Sequence, residues 1–163
     1  MYKRTKYFFL LCVMTLLSFT LCGCFENPKN FTEGELTITL TDEFVKSSVK
    51  NFDVYISSEA VAFSAVKEDA SSLEYAGYEI NSLTDYSHEI LALNGVSQSD
   101  LVKRGSYNYF VNESKVSNTS YTYVHCMFQT ANAYWICEFV CKSGDYDRYS
   151  EKILQWADSI QIK

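Results

Sequence analysis

Short runs of alternating apolar and polar residues predict β-strands in several parts of the chain. Residues 36–40, LTITL, alternate aliphatic side chains with threonine, and the same two-residue period recurs at 52–56, 61–65 and 107–111. Residues 68–81 are rich in Ser, Asp, Glu and Gly and lose this period. We therefore expect four strands here, with a surface loop over 68–81.

The clearest strand pattern is a pair of runs within residues 121–141, YTYVHCMFQTANAYWICEFVC. If residues 131–132 form the turn of a hairpin, the two runs pair so that opposed residue numbers sum to 263. The opposed residues are then Val124 and Phe139, Cys126 and Cys137, Phe128 and Trp135, and on the other face His125 and Glu138. Both faces are largely apolar, so we expect the hairpin to be covered on both sides.

Two segments have the apolar period of an amphipathic helix. The first follows Ser82, which forms a capping-box variant with Asp85, and it ends at Asn94-Gly95. The second begins near residues 143–145, where Ser and Asp can cap it. Its apolar face carries Tyr146, Tyr149, Ile153, Trp156 and Ile160. Together these elements predict an α+β fold, an antiparallel sheet of about five to six strands between helical layers, which is an α/β/α sandwich.

The N-terminus has the order of an export signal. Lys3, Arg4 and Lys6 precede residues 7–25, a run of 19 uncharged residues that Glu26 ends. A run of this length also reaches the lower limit for a membrane-spanning helix, so a retained anchor is an alternative. The run contains no alanine, and the A-x-A cleavage site of ordinary signal peptides is therefore missing.

The end of this run resembles the lipobox of bacterial lipoproteins, in which small residues precede a cysteine. The matching residues are Leu21, Cys22, Gly23 and Cys24. The resemblance implies that Cys24 is diacylated on sulfur and that cleavage before it makes residue 24 the mature N-terminus. Two acyl chains on one residue are sufficient for stable membrane attachment.

This interpretation divides the chain into three parts. Residues 1–23 are a lipoprotein signal peptide, 24–34 a lipidated tether, and 35–163 a globular domain. The domain is then expected on the extracytoplasmic face of the cell membrane, held by the lipid on Cys24. A chain with 47% hydrophobic and 16% aromatic residues has ample material for one core.

The charge of the mature chain argues against nucleic acid as a partner. Removing residues 1–23 takes away three of 14 basic residues and none of 20 acidic residues, which leaves 11 basic against 20 acidic and a net charge of −9. Nucleic acids and anionic lipid surfaces bind basic proteins. We therefore expect lipid, and not charge, to hold the domain at the membrane.

The order of elements resembles that of PsbP-like domains, and more narrowly that of uncharacterised lipoproteins of low-GC Gram-positive bacteria. The resemblance covers residues 35–163, nearly the whole mature chain. It rests on residues 36–40 followed by Asp42 and Phe44, the helix that ends at 94–95, Tyr134-Trp135 followed by Glu138-Phe139, and the closing helix with Trp156, Ala157, Asp158, Ser159 and Ile160. It implies an antiparallel sheet between helical layers. Members include photosystem II extrinsic subunits and a Ran-binding protein, which bind other macromolecules, but a shared fold does not assign an activity.

Three cysteines follow Cys24 in the mature chain: Cys126, Cys137 and Cys141. Export to an oxidising exterior allows a disulfide between Cys126 and Cys137, which the hairpin register places opposite each other. The favoured alternative is that these thiols are buried and free, because cysteine packs as a small hydrophobe. Cys137 and Cys141 are about 13 Å apart along a strand, so the spacing predicts no metal site.

His125 and Glu138 are the one acid–base pair that the register brings together. A histidine held by a carboxylate can act as a general base if it lines a cleft, so an enzyme using this pair is one hypothesis. The simpler interpretation is a structural pair, since neither a catalytic triad nor a phosphate-binding loop accompanies it. We expect no cofactor.

Tyrosine is abundant, with 13 residues, and suits binding surfaces. One candidate binding surface consists of Tyr107, Tyr109, Tyr121 and Tyr123. The alternative is that these tyrosines simply occupy half-buried strand positions. The sequence thus predicts a binding or accessory module for an envelope protein or ligand, and not an enzyme.

Overall fold

The structure is a computed structural model that describes residues 27–163. The predicted signal peptide, the lipobox residues Leu21, Cys22, Gly23 and Cys24, and the start of the tether lie outside the described residues. Within residues 27–163, no helix is long and apolar enough to cross a membrane.

The described chain contains ten strands and three α-helices. In chain order they are β1 (Pro28–Glu33), β2 (Leu36–Thr41), β3 (Val45–Lys46), β4 (Val54–Ser57), β5 (Val61–Asp69), α1 (Ala70–Tyr75), α2 (Leu83–Leu93), β6 (Val102–Arg104), β7 (Tyr107–Val116), β8 (Thr119–Gln129), β9 (Ala133–Lys142), α3 (Tyr146–Asp158) and β10 (Gln161–Ile162).

The strands form two sheets. Seven strands in the order β3-β4-β5-β9-β8-β7-β6 form the main sheet, and β1-β2-β10 form a smaller one. All pairings between these strands are antiparallel. The predicted α+β fold is therefore confirmed. The main sheet has more strands than expected because β3 and β6, with two and three residues, are too short to show an alternating pattern.

The predicted register of the β8–β9 hairpin is confirmed. Cys126 lies opposite Cys137, and His125 opposite Glu138. The Thr130 amide donates to the Ala133 carbonyl at 2.8 Å and closes the turn around the two residues between them. Both faces of this hairpin are covered at its centre, as its apolar pattern requires.

The two faces of the main sheet pack against different partners. The face with Cys126, Cys137 and Phe139, which we call the α3 face, packs against α3 and the small sheet. The opposite face, with Phe110 and Met127, packs against α2 and is called the α2 face. The layers are thus α2 with α1, the main sheet, and α3 with the small sheet.

The predicted start of α2 is also confirmed. Ser82 Oγ accepts a hydrogen bond from the Asp85 amide at 3.1 Å, and Asp85 Oδ2 accepts one from the Asn81 amide at 3.1 Å. The first bond satisfies one of the donors that a helix leaves free at its N-terminus, and the second fixes the residue before the N-cap. At the other end, Gly95 has a positive φ of 67°, which a glycine adopts without steric cost.

Two segments differ from the sequence prediction. Pro28–Glu33, which we assigned to the tether, pairs with β2 and buries Phe31, so the folded part of the chain begins before residue 35. Ala70–Tyr75, assigned to a loop, forms helix α1. Both segments bury little apolar surface of their own, and periodicity cannot detect such elements.

Candidate functional site

His125 and Glu138 meet on the α2 face because β8 and β9 place them directly opposite each other. His125 Nδ1 lies 3.0 Å from Glu138 Oε2. The histidine is only 4% exposed, whereas the glutamate side chain is 24% exposed. The carboxylate of Glu138 is therefore partly in contact with solvent, whereas the histidine ring that it contacts is buried.

The second ring nitrogen of His125 is also occupied. Nε2 lies 3.0 Å from Asn112 Oδ1 on β7. The ring stacks on Phe110 at 4.5 Å between centroids, and Tyr123 lies on the same strand face at 6.1 Å. His125 thus connects three neighbouring strands through two polar contacts and one ring contact.

A shallow hollow opens beside this pair, where the C-terminus of α2 meets the sheet. Its volume is about 360 Å³. The lining residues are Leu93, Asn94, Asn112, Glu113, Ser114, Tyr123, His125 and Glu138. Burial, and to a lesser extent the Glu138 carboxylate, raises the pKa of Tyr123, so its hydroxyl stays protonated and available as a donor.

The geometry favours a structural role for the pair over catalysis. A histidine that acts as general base needs one ring nitrogen within hydrogen-bonding reach of substrate. Here Glu138 holds Nδ1 and Asn112 holds Nε2. Both nitrogens of the buried ring are therefore paired, and their contribution is to the cohesion of the sheet.

The four tyrosines of the candidate binding surface do not form one patch. Tyr107 and Tyr109 lie on the α3 face, where Tyr107 is buried and its hydroxyl donates to Asp158 Oδ1 at 3.0 Å. Tyr121 and Tyr123 lie on the α2 face and are half-buried. Successive strand residues alternate faces, and the β7–β8 register puts these two pairs on opposite sides of the sheet.

The cysteines form a buried group on the α3 face. Cys126, Cys137 and Cys141 are free thiols, and Cys126 and Cys137 have no exposed surface although they are directly opposed. Burial raises the pKa of each thiol, which disfavours the reactive thiolate. Among residues 27–163, no group of three His, Cys, Asp or Glu side chains is placed to hold a metal ion.

Two features of the site were not predicted from the sequence. Asn112 reaches His125 because β7 pairs with β8, a register that the alternation at 107–111 alone does not specify. Helix α1 creates a second hollow, of about 490 Å³, between itself and residues 78–81. Tyr134 forms the floor of this hollow and stacks on Tyr86 with centroids 4.5 Å apart.

Comparison with known proteins identifies the fold and no family. No protein-family model matches the chain, and no curated protein matches it. A protein of Bacteroides thetaiotaomicron VPI-5482, with a crystal structure at 1.50 Å resolution, is similar at a TM-score of 0.55 and 17% identity, over 83% of this chain and 48% of its own. The chain spans about half the length of that protein.

Cyanobacterial PsbP (CyanoP) from Synechocystis sp. PCC 6803, known from a solution structure, is also similar. The TM-score is 0.50 at 11% identity, over 87% of this chain and 97% of CyanoP. At such identities the likeness concerns backbone architecture alone. The fold of this chain is therefore PsbP-like.

Proposed function

We propose that the chain is a bacterial lipoprotein whose PsbP-like domain acts as a binding or accessory module for an envelope protein or ligand. Lipid on Cys24 would hold it on the extracytoplasmic face of the cell membrane. The basic start, the uncharged run, LCGC and the polar residues that follow support this proposal by their order. We further propose that it is related to the uncharacterised lipoproteins of low-GC Gram-positive bacteria that it resembles.

The observation that carries the binding role is a row of half-buried side chains on the α2 face. Ser57, Ala62, Val140 and Tyr123 lie side by side on β4, β5, β9 and β8. Tyr121 flanks this row on β8. Small and aliphatic side chains next to tyrosine form a flat surface of the kind that protein interfaces use.

The anchor is tested by the mass of the mature N-terminal peptide. The full gene is expressed in a Gram-positive host, and membranes are compared between the wild type and Cys24→Ala. We expect a peptide that begins at Cys24 and carries a diacylglyceryl group, and its absence from the variant. An unmodified peptide that retains residues 7–23 would refute the lipoprotein proposal and indicate a spanning anchor instead.

The binding role is tested by a photo-crosslinking amino acid at position 123 in the same cells. The matched control carries it at Glu151, an exposed position on α3. We expect a discrete cross-linked product from position 123 that position 151 does not give. Identical products from both positions, or none from position 123, would contradict a specific surface on the α2 face.

Acid–base catalysis by His125 and Glu138 is the alternative function. The 3.0 Å contact between them is what that hypothesis requires. However, Nε2, the nitrogen that would face a substrate, is bonded to Asn112. This contact weighs against the enzyme hypothesis.

A further inference from the structure

Helix α1 contributes no buried side chain to the core, although it is a regular element in a well-packed domain. Its position is nevertheless fixed by backbone bonds. The Ala70 amide donates to the Asn132 carbonyl at 2.9 Å, and the Tyr78 amide to the Leu73 carbonyl at 3.1 Å. Only Ala70 and Leu73 of this helix pack against the edge of the core, so most of its surface remains available to a partner.

That surface is the 490 Å³ hollow between α1 and residues 78–81. Its apolar part consists of the half-buried Leu73 and Ile80 and the ring of Tyr134, and Tyr78 is 42% exposed at its side. A hollow of this size accepts one or two large side chains of a peptide. The hollow is present in the chain alone, and a site that is formed before a partner arrives lowers the entropic cost of binding.

The rim of the hollow is acidic. Glu74 and Glu79 line it and are exposed. Neither carboxylate has a hydrogen-bond or ion-pair partner among residues 27–163. Residues 68–102, which contain the hollow's lining except Tyr134, carry seven acidic residues and no lysine or arginine, and the nearest cation in sequence, Lys67, lies 3.8 Å from Asp69. A cation at this rim would meet two unpaired carboxylates and the face of Tyr78.

We infer that this hollow docks a basic segment of a partner protein, in which an aromatic or large aliphatic residue is flanked by lysine or arginine. The apolar side chain enters the hollow and contacts Leu73, Ile80 and Tyr134. The flanking cations pair with Glu74 and Glu79. The inference rests on the proposed binding role and specifies the chemistry of the partner, independently of the row that contains Tyr123.

The test measures binding of two labelled tetrapeptides to the full chain in a nonionic detergent at about 150 mM salt, where long-range charge effects are screened. The peptides are acetyl-Lys-Trp-Lys-Lys-amide and the same peptide with Gly in place of Trp. Fluorescence anisotropy should show that the Trp peptide binds about tenfold more tightly, since only it can bury an apolar ring.

Two double variants of equal charge provide the matched control. Glu74→Gln with Glu79→Gln changes the rim, and Glu43→Gln with Glu59→Gln changes two exposed carboxylates elsewhere. We expect the rim variant to weaken binding of the Trp peptide about tenfold, as for two surface ion pairs, and the control to change it less than about twofold.

Three results would overturn the inference. The first is that the Trp peptide does not bind at concentrations up to about 1 mM. The second is that the Gly peptide binds as tightly as the Trp peptide, and the third is that both double variants lose the same amount of binding. The last two would mean that acidic charge alone attracts the peptides. None of these results bears on lipidation, which the peptide mass at Cys24 decides separately. The failure of this inference is therefore distinguishable from the failure of the proposed anchor.

Discussion

The ring of His125 joins three strands on the α2 face of the main sheet. Its two nitrogens contact Glu138 and Asn112, each at 3.0 Å, and its face covers Phe110. Buried polar atoms cost free energy unless they are paired, and removing one partner leaves the others unsatisfied. The group should therefore behave as a unit in stability measurements.

We expect His125→Ala to lower the free energy of unfolding by about 2–4 kcal/mol, because it opens a cavity over Phe110 and leaves Glu138 and Asn112 unpaired. Urea denaturation of the full chain measures this loss. His88→Ala, on the polar side of α2, is the control and should cost less than about 1 kcal/mol. Equal losses in the two variants would show that the contacts of His125 contribute nothing particular.

The buried thiols lead to a second prediction at this scale. Burial raises the pKa of Cys126, Cys137 and Cys141, so at pH 8 each remains a thiol and iodoacetamide should not modify it in the folded protein. In urea all three should react. Peptide mass spectrometry reads out both states, and a linked peptide that contains Cys126 and Cys137 would instead show the disulfide.

At the scale of elements, the sequence predicts those that bury a periodic apolar face. The β8–β9 register follows from alternation around a two-residue turn, and α2 follows from its cap and its apolar stripe. Helix α1 has no buried residue and β1 buries only Phe31, so neither has a period to detect. The same limit applies to the site. The hairpin pattern predicts that His125 lies opposite Glu138. The position of Asn112 beside His125 depends instead on the β7–β8 turn, where Ser117 has a positive φ of 57° and no glycine marks the turn in the sequence.

The C-terminal end of α3 is tied to the edge of the main sheet by one carboxylate. Arg104 on β6 donates from Nε and Nη2 to Asp158 at 2.8 and 2.6 Å, and the Tyr107 hydroxyl donates to the same group at 3.0 Å. These bonds lower the pKa of Asp158 from its usual value of 3.8, and the hydrogen bond from Arg104 has the largest effect. The pair is half-exposed, so its contribution is modest.

We expect Asp158→Asn to cost about 1 kcal/mol at pH 7. Since the pKa is lower in the folded state, this contribution is fully present above the unfolded value of 3.8 and is lost as the pH falls through the folded value. Thermal or urea unfolding of wild type and variant should therefore differ at pH 7 and converge well below pH 3.8. A difference in stability that is independent of pH would contradict the ionic contribution. Glu151→Gln, at an exposed position on α3, is the control and should show no such dependence on pH.

At the scale of the whole molecule, the main sheet has two distinct ends. At one end, Asn27 is fixed to Asp42 by two hydrogen bonds, of 3.0 and 3.1 Å. Glu43, which follows Asp42, lines a crevice together with Ala60 and Lys142. Helix α1 follows the other end of β5, where Asp69 pairs with Ala133. Because β9 has ten residues, these ends are separated by about 30 Å.

This geometry determines which end of the domain faces the membrane if Cys24 carries lipid. Two residues separate Cys24 from Asn27, and the three Cα–Cα steps between them can span at most about 11 Å. The crevice around Glu43 and Glu59 must then lie close to the lipid headgroups. The acidic hollow beside α1 lies at the far end of the sheet, where a partner protein can reach it.

Fluorophores at the two ends test this orientation in the lipidated protein reconstituted in vesicles. Ser71→Cys labels the α1 end and Glu59→Cys the opposite end, and both positions are exposed. The buried native thiols should leave the introduced cysteine as the reactive one. We expect energy transfer to a headgroup-labelled lipid to be much stronger from position 59, because transfer falls steeply over a separation of about 30 Å.

Equal transfer from the two positions would mean that the domain lies on its side, with the hollow and the crevice at similar heights above the lipid. Stronger transfer from position 71 would place α1 against the membrane and leave its acidic rim unable to meet a protein partner. The control is the chain that begins at residue 25, which lacks both the lipid and nearly all of the uncharged run, because an acidic domain without either has no electrostatic attraction to an anionic surface. Transfer should then be lost from both positions, and only a lipid-dependent difference between them supports the upright arrangement.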